Sequence, residues 1–294
     1  MGEDHINRVS SYDRLFDPAL SNTYNLSIRP DPDGLSFSVY STTEKLFLGI
    51  ESHVFSENAH FKSGLLAQKI YKDNFVKFVD HHPWIKNHFN KTSIIFCNQF
   101  YTLLPNPLFD PDKIQEYLRF VHGTDESWHV AKHQLKAMDS WLIYGIHNNF
   151  WEEVATIFPN AGITHHIASL IDSILPRFKH SDAETALFLN VRRGFADIIA
   201  LRENALVFVN TFECPTNEDI VYFLMYVMDQ LKFNPEKTPV YLTGYVDEGS
   251  HLATLILRYV RNVEFLLCTE SASKGYAMNQ ISTHRFYDLL IPAI

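Results

Sequence analysis

Leu189-Asn190-Val191-Arg192-Arg193-Gly194-Phe195-Ala196-Asp197-Ile198-Ile199 is an apolar run, a polar turn closed by glycine, and a second apolar run. That pattern predicts two strands joined by a tight turn. Read outward, it grows into three strands at 186–191, 195–201 and 205–211, broken by Arg192-Arg193-Gly194 and Arg202-Glu203-Asn204. Thr216, with Asp219 three residues later, opens a helix that runs to about Leu231, where Asn234-Pro235 stops it. Residues 238–243 form the strand after it.

A similar block occurs earlier in the chain. Residues 24–29, 35–40 and 45–51 read as three short strands rich in β-branched and aromatic residues, with Asp31-Pro32-Asp33-Gly34 as the first turn. A helix over about 59–79 carries Phe61, Leu65, Leu66, Ile70, Phe75 and Val76 near a 3.6-residue period, and 92–96 is a buried strand. Meander, helix and strand thus recur, as a duplicated domain would give. Between the blocks, 129–135 and 140–146 form a hairpin around Ala137-Met138-Asp139, followed by helices at 150–158 and 167–175. Pro176 closes the first lobe, and the charged stretch 177–182 is the expected linker. The expected division is an extension at 1–22, one lobe at 23–180 and a second at 181–294.

Composition narrows the function classes. The 294 residues suffice for two ordinary domains, and 46% hydrophobic with 20% charged residues is the balance of a folded globular chain. A net charge of -9 repels phosphate backbones, so no nucleic-acid partner is expected. The longest apolar run, 220–228, is about half of what a membrane span needs. The first twenty residues lack the pattern of a signal peptide. Cys97, Cys214 and Cys268 read as separate thiols of a reducing compartment, which points to the cytoplasm. Asn25-Leu26-Ser27 and Asn90-Lys91-Thr92 match the glycosylation pattern by chance in such a chain.

Residues 189–199 are similar to the second phosphate loop of the actin, heat-shock chaperone and sugar-kinase superfamily. That loop runs apolar, Asp, apolar, three glycines, Ser/Thr, Thr, Asp/Lys and apolar again; Gly194, Asp197 and the flanking apolar residues match it. Val240-Tyr241-Leu242-Thr243-Gly244-Tyr245 resembles the adenosine-binding segment, in which Thr-Gly-Gly follows apolar residues. Leu26-Ser27-Ile28-Arg29 takes the place of the first phosphate loop. The resemblance spans about 23–265 by element order. It extends to actin-like proteins of pilus and secretion assemblies, and to an uncharacterised bacterial family of this length. It implies an α/β, two-lobed actin-like ATPase (ribonuclease H-like) fold with duplicated mixed sheets flanked by helices.

The resemblance also shows what has been replaced. An Asp of the first loop helps hold the magnesium shell in active members, and Ser27 stands there. Loop glycines let backbone N–H groups approach phosphates, and Arg29, Arg192 and Arg193 take their places. The second-loop Asp is Asn190, a poor partner for a divalent cation, and Tyr245 replaces an adenosine-segment glycine. The candidate cleft is therefore Ser27, Arg29, Asn190, Arg192, Arg193, Gly194, Asp197, Thr243, Gly244 and Tyr245. Its losses imply no cofactor and no catalytic residue, hence a pseudo-ATPase serving as an interaction or scaffold module for a protein partner, with a homodimer allowed. One alternative keeps ATP and magnesium, with the arginines replacing part of the metal charge and Asp197 catalytic. Another is a small-molecule kinase.

Plainer readings compete at each position. Arg192 and Arg193 read as solvated turn residues, Asp31 and Asp33 as turn chemistry, and Asp197 as a polar partner for a neighbouring strand. Among fifteen histidines the closest groupings are His129 with His133, His81-His82 and His165-His166. Four-residue spacing chelates zinc only on a helix, and 127–135 reads as strand. Cys97, inside Ile94-Ile95-Phe96-Cys97, reads as core.

Overall fold

Alternation of large apolar with small polar side chains makes each repeated block a sheet with two distinct faces. The computed structural model describes residues 8–31, 34–54, 65–268, 273–275, 278, 279 and 281–291. The chain forms two units. One is Met1–Ser169 with Thr269–Ile281 and Asp288–Ile294, the other Leu170–Cys268 with Ser282–Tyr287.

In the first unit, β1 (Arg8–Tyr12) pairs antiparallel with β4 (Leu46–Val54), which continues the meander of β3 (Gly34–Ser41) and β2 (Tyr24–Asp31). After α1 (Leu65–His81), β5 (Lys91–Phe96) joins β2 in parallel. An insertion follows: β6 (Tyr101–Pro105), α2 (Ile114–His122), β7 (Trp128–Leu135), β8 (Ser140–His147) and α3 (Asn148–Ile157), with a small sheet ordered β6-β8-β7. Gly123, at φ 65°, supplies the left-handed residue that ends α2. β9 (Gly162–His165) then pairs in parallel with β5. The main sheet runs β1-β4-β3-β2-β5-β9, with the later β15 (Ser273–Lys274) also on β4.

Helix α4 (His166–Phe178) carries the chain out of this unit, and the boundary at 169/170 falls inside it. In the second unit, β10 (Thr185–Arg192), β11 (Phe195–Arg202) and β12 (Ala205–Glu213) form the meander. α5 (Asn217–Gln230), β13 (Val240–Gly244), α6 (His251–Ile256) and β14 (Val263–Phe265) follow it, and α7 (Tyr287–Leu290) is the last helix among the described residues, starting at the boundary where the chain returns to the first unit. The order β12-β11-β10-β13-β14 repeats β4-β3-β2-β5-β9, including the switch from antiparallel to parallel pairing.

The capping box at Thr216 is present, with Thr216 Oγ1 accepting from Asp219 N at 3.2 Å and Asp219 Oδ2 accepting from Thr216 N at 2.9 Å. Leu187, Leu189 and Val191 of β10 pack with Ile220, Leu224 and Met228 of α5 in the second core. Cys97 is buried and no cysteine is bonded to another. No described helix is long and apolar enough to cross a membrane.

Several local expectations give way. Pro176 lies inside α4, which runs on to Phe178 despite the N–H that proline forfeits, so it does not end the lobe. β1 lies within the stretch expected to be an extension, where it gains hydrogen bonds by lining the β4 edge. β6, α2, β9 and α6 go unread in the sequence. Pro32, Asp33 and the helix start expected at 59–64 lie outside the described residues.

Candidate functional site

Register, more than spacing, builds the site in the second unit. Thr211 of β12 lies opposite Asp197 of β11, Asp197 opposite Asn190 of β10, and Asn190 opposite Thr243 of β13. Opposed residues share a face, so four polar side chains form a row across four strands. Thr243 Oγ1 donates to Asn190 Oδ1 at 3.0 Å, and Asn190 Nδ2 donates to Asp197 Oδ2 at 2.9 Å. Thr211 Oγ1 donates to Asp197 Oδ1 at 2.6 Å. Arg192, two residues beyond Asn190, folds back over the Phe195 ring and binds Asp197 with both ends of its fork, Nε to Oδ2 at 2.8 Å and Nη2 to Oδ1 at 2.9 Å.

Asp197 thus accepts four hydrogen bonds, the number of lone pairs a carboxylate offers. It is fully buried and its charge is met by a bidentate guanidinium. A divalent cation at Asp197 would have to displace these donors. Arg192 is therefore no solvated turn residue: it is 7% exposed, because the register brings it within reach of a buried carboxylate. Asp197 does act as a partner for the neighbouring strands. Arg193 and Gly194 form the turn itself, with Gly194 at φ 72°.

The adenosine-like segment is equally filled. Gly244 sits at φ 81°, and a Cβ there would stand 2.0 Å from the Val191 carbonyl oxygen. That close approach keeps β13 against β10 and lets Tyr245 N donate to Val191 O at 2.8 Å. Two guanidiniums stand over the Tyr245 ring, Arg193 at 5.1 Å and Arg285 at 5.8 Å from its centre.

The first unit presents the same strand pair with different chemistry. Ser27 of β2 faces Ser38 of β3 and Ser93 of β5. The Ser27 and Ser38 hydroxyls are buried with no hydrogen-bond partner among the described residues. Arg29 Nε donates to Asp31 Oδ2 at 3.0 Å and Arg29 Nη1 to Asp288 Oδ1, all three side chains being buried. The arginine at the phosphate-loop position is thus neutralised by two carboxylates, one from the far end of the chain.

A cluster on the other face of this sheet escapes the sequence reading. Glu51 lies opposite Phe37, which lies opposite Ile28, so Glu51 points away from the face carrying Ser27 and Arg29. With His53 and His82 it forms the one group of three metal-type ligands among the described residues. The legible signal was Glu51-x-His53, since strand positions two apart share a face. His129 and His133 stand on β7, His129 stacked on Trp151 at 4.0 Å with its pKa lowered by burial.

The duplicated sheet order and the two strand pairs with their loop positions define an actin-like ATPase fold. A protein from Bacteroides thetaiotaomicron VPI-5482, described as having an actin-like ATPase fold and unknown function, superposes with a TM-score of 0.73 at 23% identity, over 86% of this chain and 94% of that one. The PilM-PilN type IV pilus biogenesis complex matches at a TM-score of 0.54 and 13% identity, over 92% of this chain and 98% of that one. The chain belongs to the family described as "Protein of unknown function (DUF3822)", whose model matches residues 13–263. No curated protein matches it.

Proposed function

We propose that this chain is a non-catalytic member of the actin-like fold that works in the cytoplasm as an interaction or scaffold module. The observation that carries the reading is the closed shell of Asp197: Ser27 and Asn190 stand where the resemblance expects aspartates, and Arg192, Asn190 and Thr211 take all the acceptor capacity of the carboxylate that the second loop keeps, leaving it none for magnesium-bound water. The Arg29 pair with Asp31 and Asp288 adds to it, leaving that guanidinium no surplus charge for a phosphate. Exposed tyrosines support the interaction half. Tyr222, Tyr226 and Tyr259 edge an apolar groove with Met225 and Leu255. Tyrosine-rich surfaces of this kind anchor protein partners. Glu218 and Asp229 at its rim suit an apolar segment flanked by basic residues. The pilus neighbour is solved as a complex with another protein.

The test is ligand-induced stabilisation. Mg-ATP at a hundred times its dissociation constant would add about 2.7 kcal/mol to the folded state. The expected result is no change in Tm with ATP, ADP or phosphate and no phosphate release by pure protein. A shift in Tm together with turnover would overturn the reading in favour of an altered ATPase. In that case Tyr245→Gly should tighten ATP binding by opening the segment.

A further inference from the structure

The Glu51, His53 and His82 cluster has a geometry that its own hydrogen bonds do not fully explain. Both imidazole Nε2 atoms converge on one oxygen, Glu51 Oε1, with His53 in short contact and His82 at 3.2 Å. His82 Nδ1 lies 3.0 Å from the Phe78 carbonyl oxygen, which accepts only, so Nδ1 carries a proton. Its Nε2 can then face a carboxylate oxygen only across a positive centre, either a second proton or a metal ion. The second carboxylate oxygen, Oε2, accepts from Tyr12 O–H at 2.5 Å. Metal-binding histidines characteristically donate their remaining N–H to a carbonyl, and ligating carboxylates are themselves hydrogen-bonded. Both features are already in place.

We infer that Glu51, His53 and His82 form a binding site for a borderline divalent transition metal, zinc foremost. Two imidazole nitrogens and one carboxylate oxygen are a zinc donor set in which water or another ligand supplies the fourth position. Donors about 2 Å from a shared ion stand about 3.3 Å from one another. The three ligand atoms here lie within 4.8 Å of each other, and the His82 to Glu51 separation is 3.2 Å. Small shifts of the His53 ring, whose side chain is 25% exposed, would admit the ion from the surface. Phe37, Phe78 and Trp84 pack around the His82 ring and hold it in place. The site lies on the opposite face of the sheet from Ser27 and Arg29, so it stands independently of the reading of that pair.

Co²⁺ alone, added to chelator-stripped full-length protein, is the direct probe. The site predicts the visible bands of a four-coordinate ion, which Zn²⁺ added alone to that complex displaces. His53→Gln and His82→Gln should each weaken Co²⁺ binding by about 100-fold or more, and Tyr12→Phe by about tenfold. His81→Gln should change nothing, because His81 Nδ1 is bonded to Lys77 O and its ring is not in the cluster. If His82→Gln fails to fold, His53→Gln carries the test from its partly exposed position. A spectrum that stays that of the hydrated ion, or bands that persist undiminished in the folded histidine variants, would overturn the assignment.

Discussion

The two strand pairs at the phosphate-loop positions, β2 with β3 and β10 with β11, share a topology and solve the same problem differently. In the second unit the buried arginine and its carboxylate lie five residues apart on one hairpin, and two more side chains of the same sheet complete the shell. In the first unit Arg29 borrows Asp288 from the end of the chain, and the neighbouring hydroxyls of Ser27 and Ser38 stay unpartnered among the described residues. The difference teaches that a buried arginine can be charge-paired in two ways on one topology. One is a self-contained local network, the other a long-range clasp over a serine-lined face.

Breaking the local network should cost most. Asp197→Ala strands a buried guanidinium, and loss of one partner from such a pair costs about 3–5 kcal/mol. The urea midpoint should fall accordingly, while the double change Arg192→Met with Asp197→Leu should recover most of the loss. If the double variant is as unstable as the single one, the network does more than satisfy its own charges. Gly244→Ala comes next, at about 3 kcal/mol, because the residue needs a positive φ and its Cβ would strike Val191 O. Far-UV circular dichroism during thermal unfolding would report it.

Asp288→Asn tests the long-range clasp. Arg29 keeps Asp31, so the expected cost is about 2 kcal/mol, less than for Asp197. A cost equal to that of Asp197→Ala would erase the contrast between the copies. The smallest effect belongs to Ser27→Ala. Removing a hydroxyl that has no partner among the described residues should leave the stability within about 0.5 kcal/mol of the parent or slightly above it. A clear loss would reveal a hydrogen bond on that face.

The sheets were legible because strand alternation and turn residues are local properties. Residues 186–191, 195–201 and 205–211 became β10, β11 and β12 with ends moved by one or two positions. Asn190, Asp197 and Thr243 were grouped in one candidate cleft by the resemblance, but Thr211 and the row the four side chains form were not legible, since that order follows only when the register is known. Arg192 was misread for the same reason: its place beside a glycine turn suggested solvent, whereas its burial depends on a carboxylate across the hairpin. Asp288 gives no hint in sequence that Arg29 needs it. β1 carries too few apolar residues to announce itself and takes its strand form from β4. The fold-family motifs were visible as positions, while their internal pairing was not.

Arg29 and Asp288 are separated by 259 residues. A chain made from its N-terminus must carry the first meander through the synthesis of 259 further residues with one counter-charge missing. The second meander holds Arg192 and Asp197 five residues apart and can complete its pairing as soon as that hairpin emerges. The first copy is thus the earlier one to be made and the later one to be finished, and Asp288 acts as its latch.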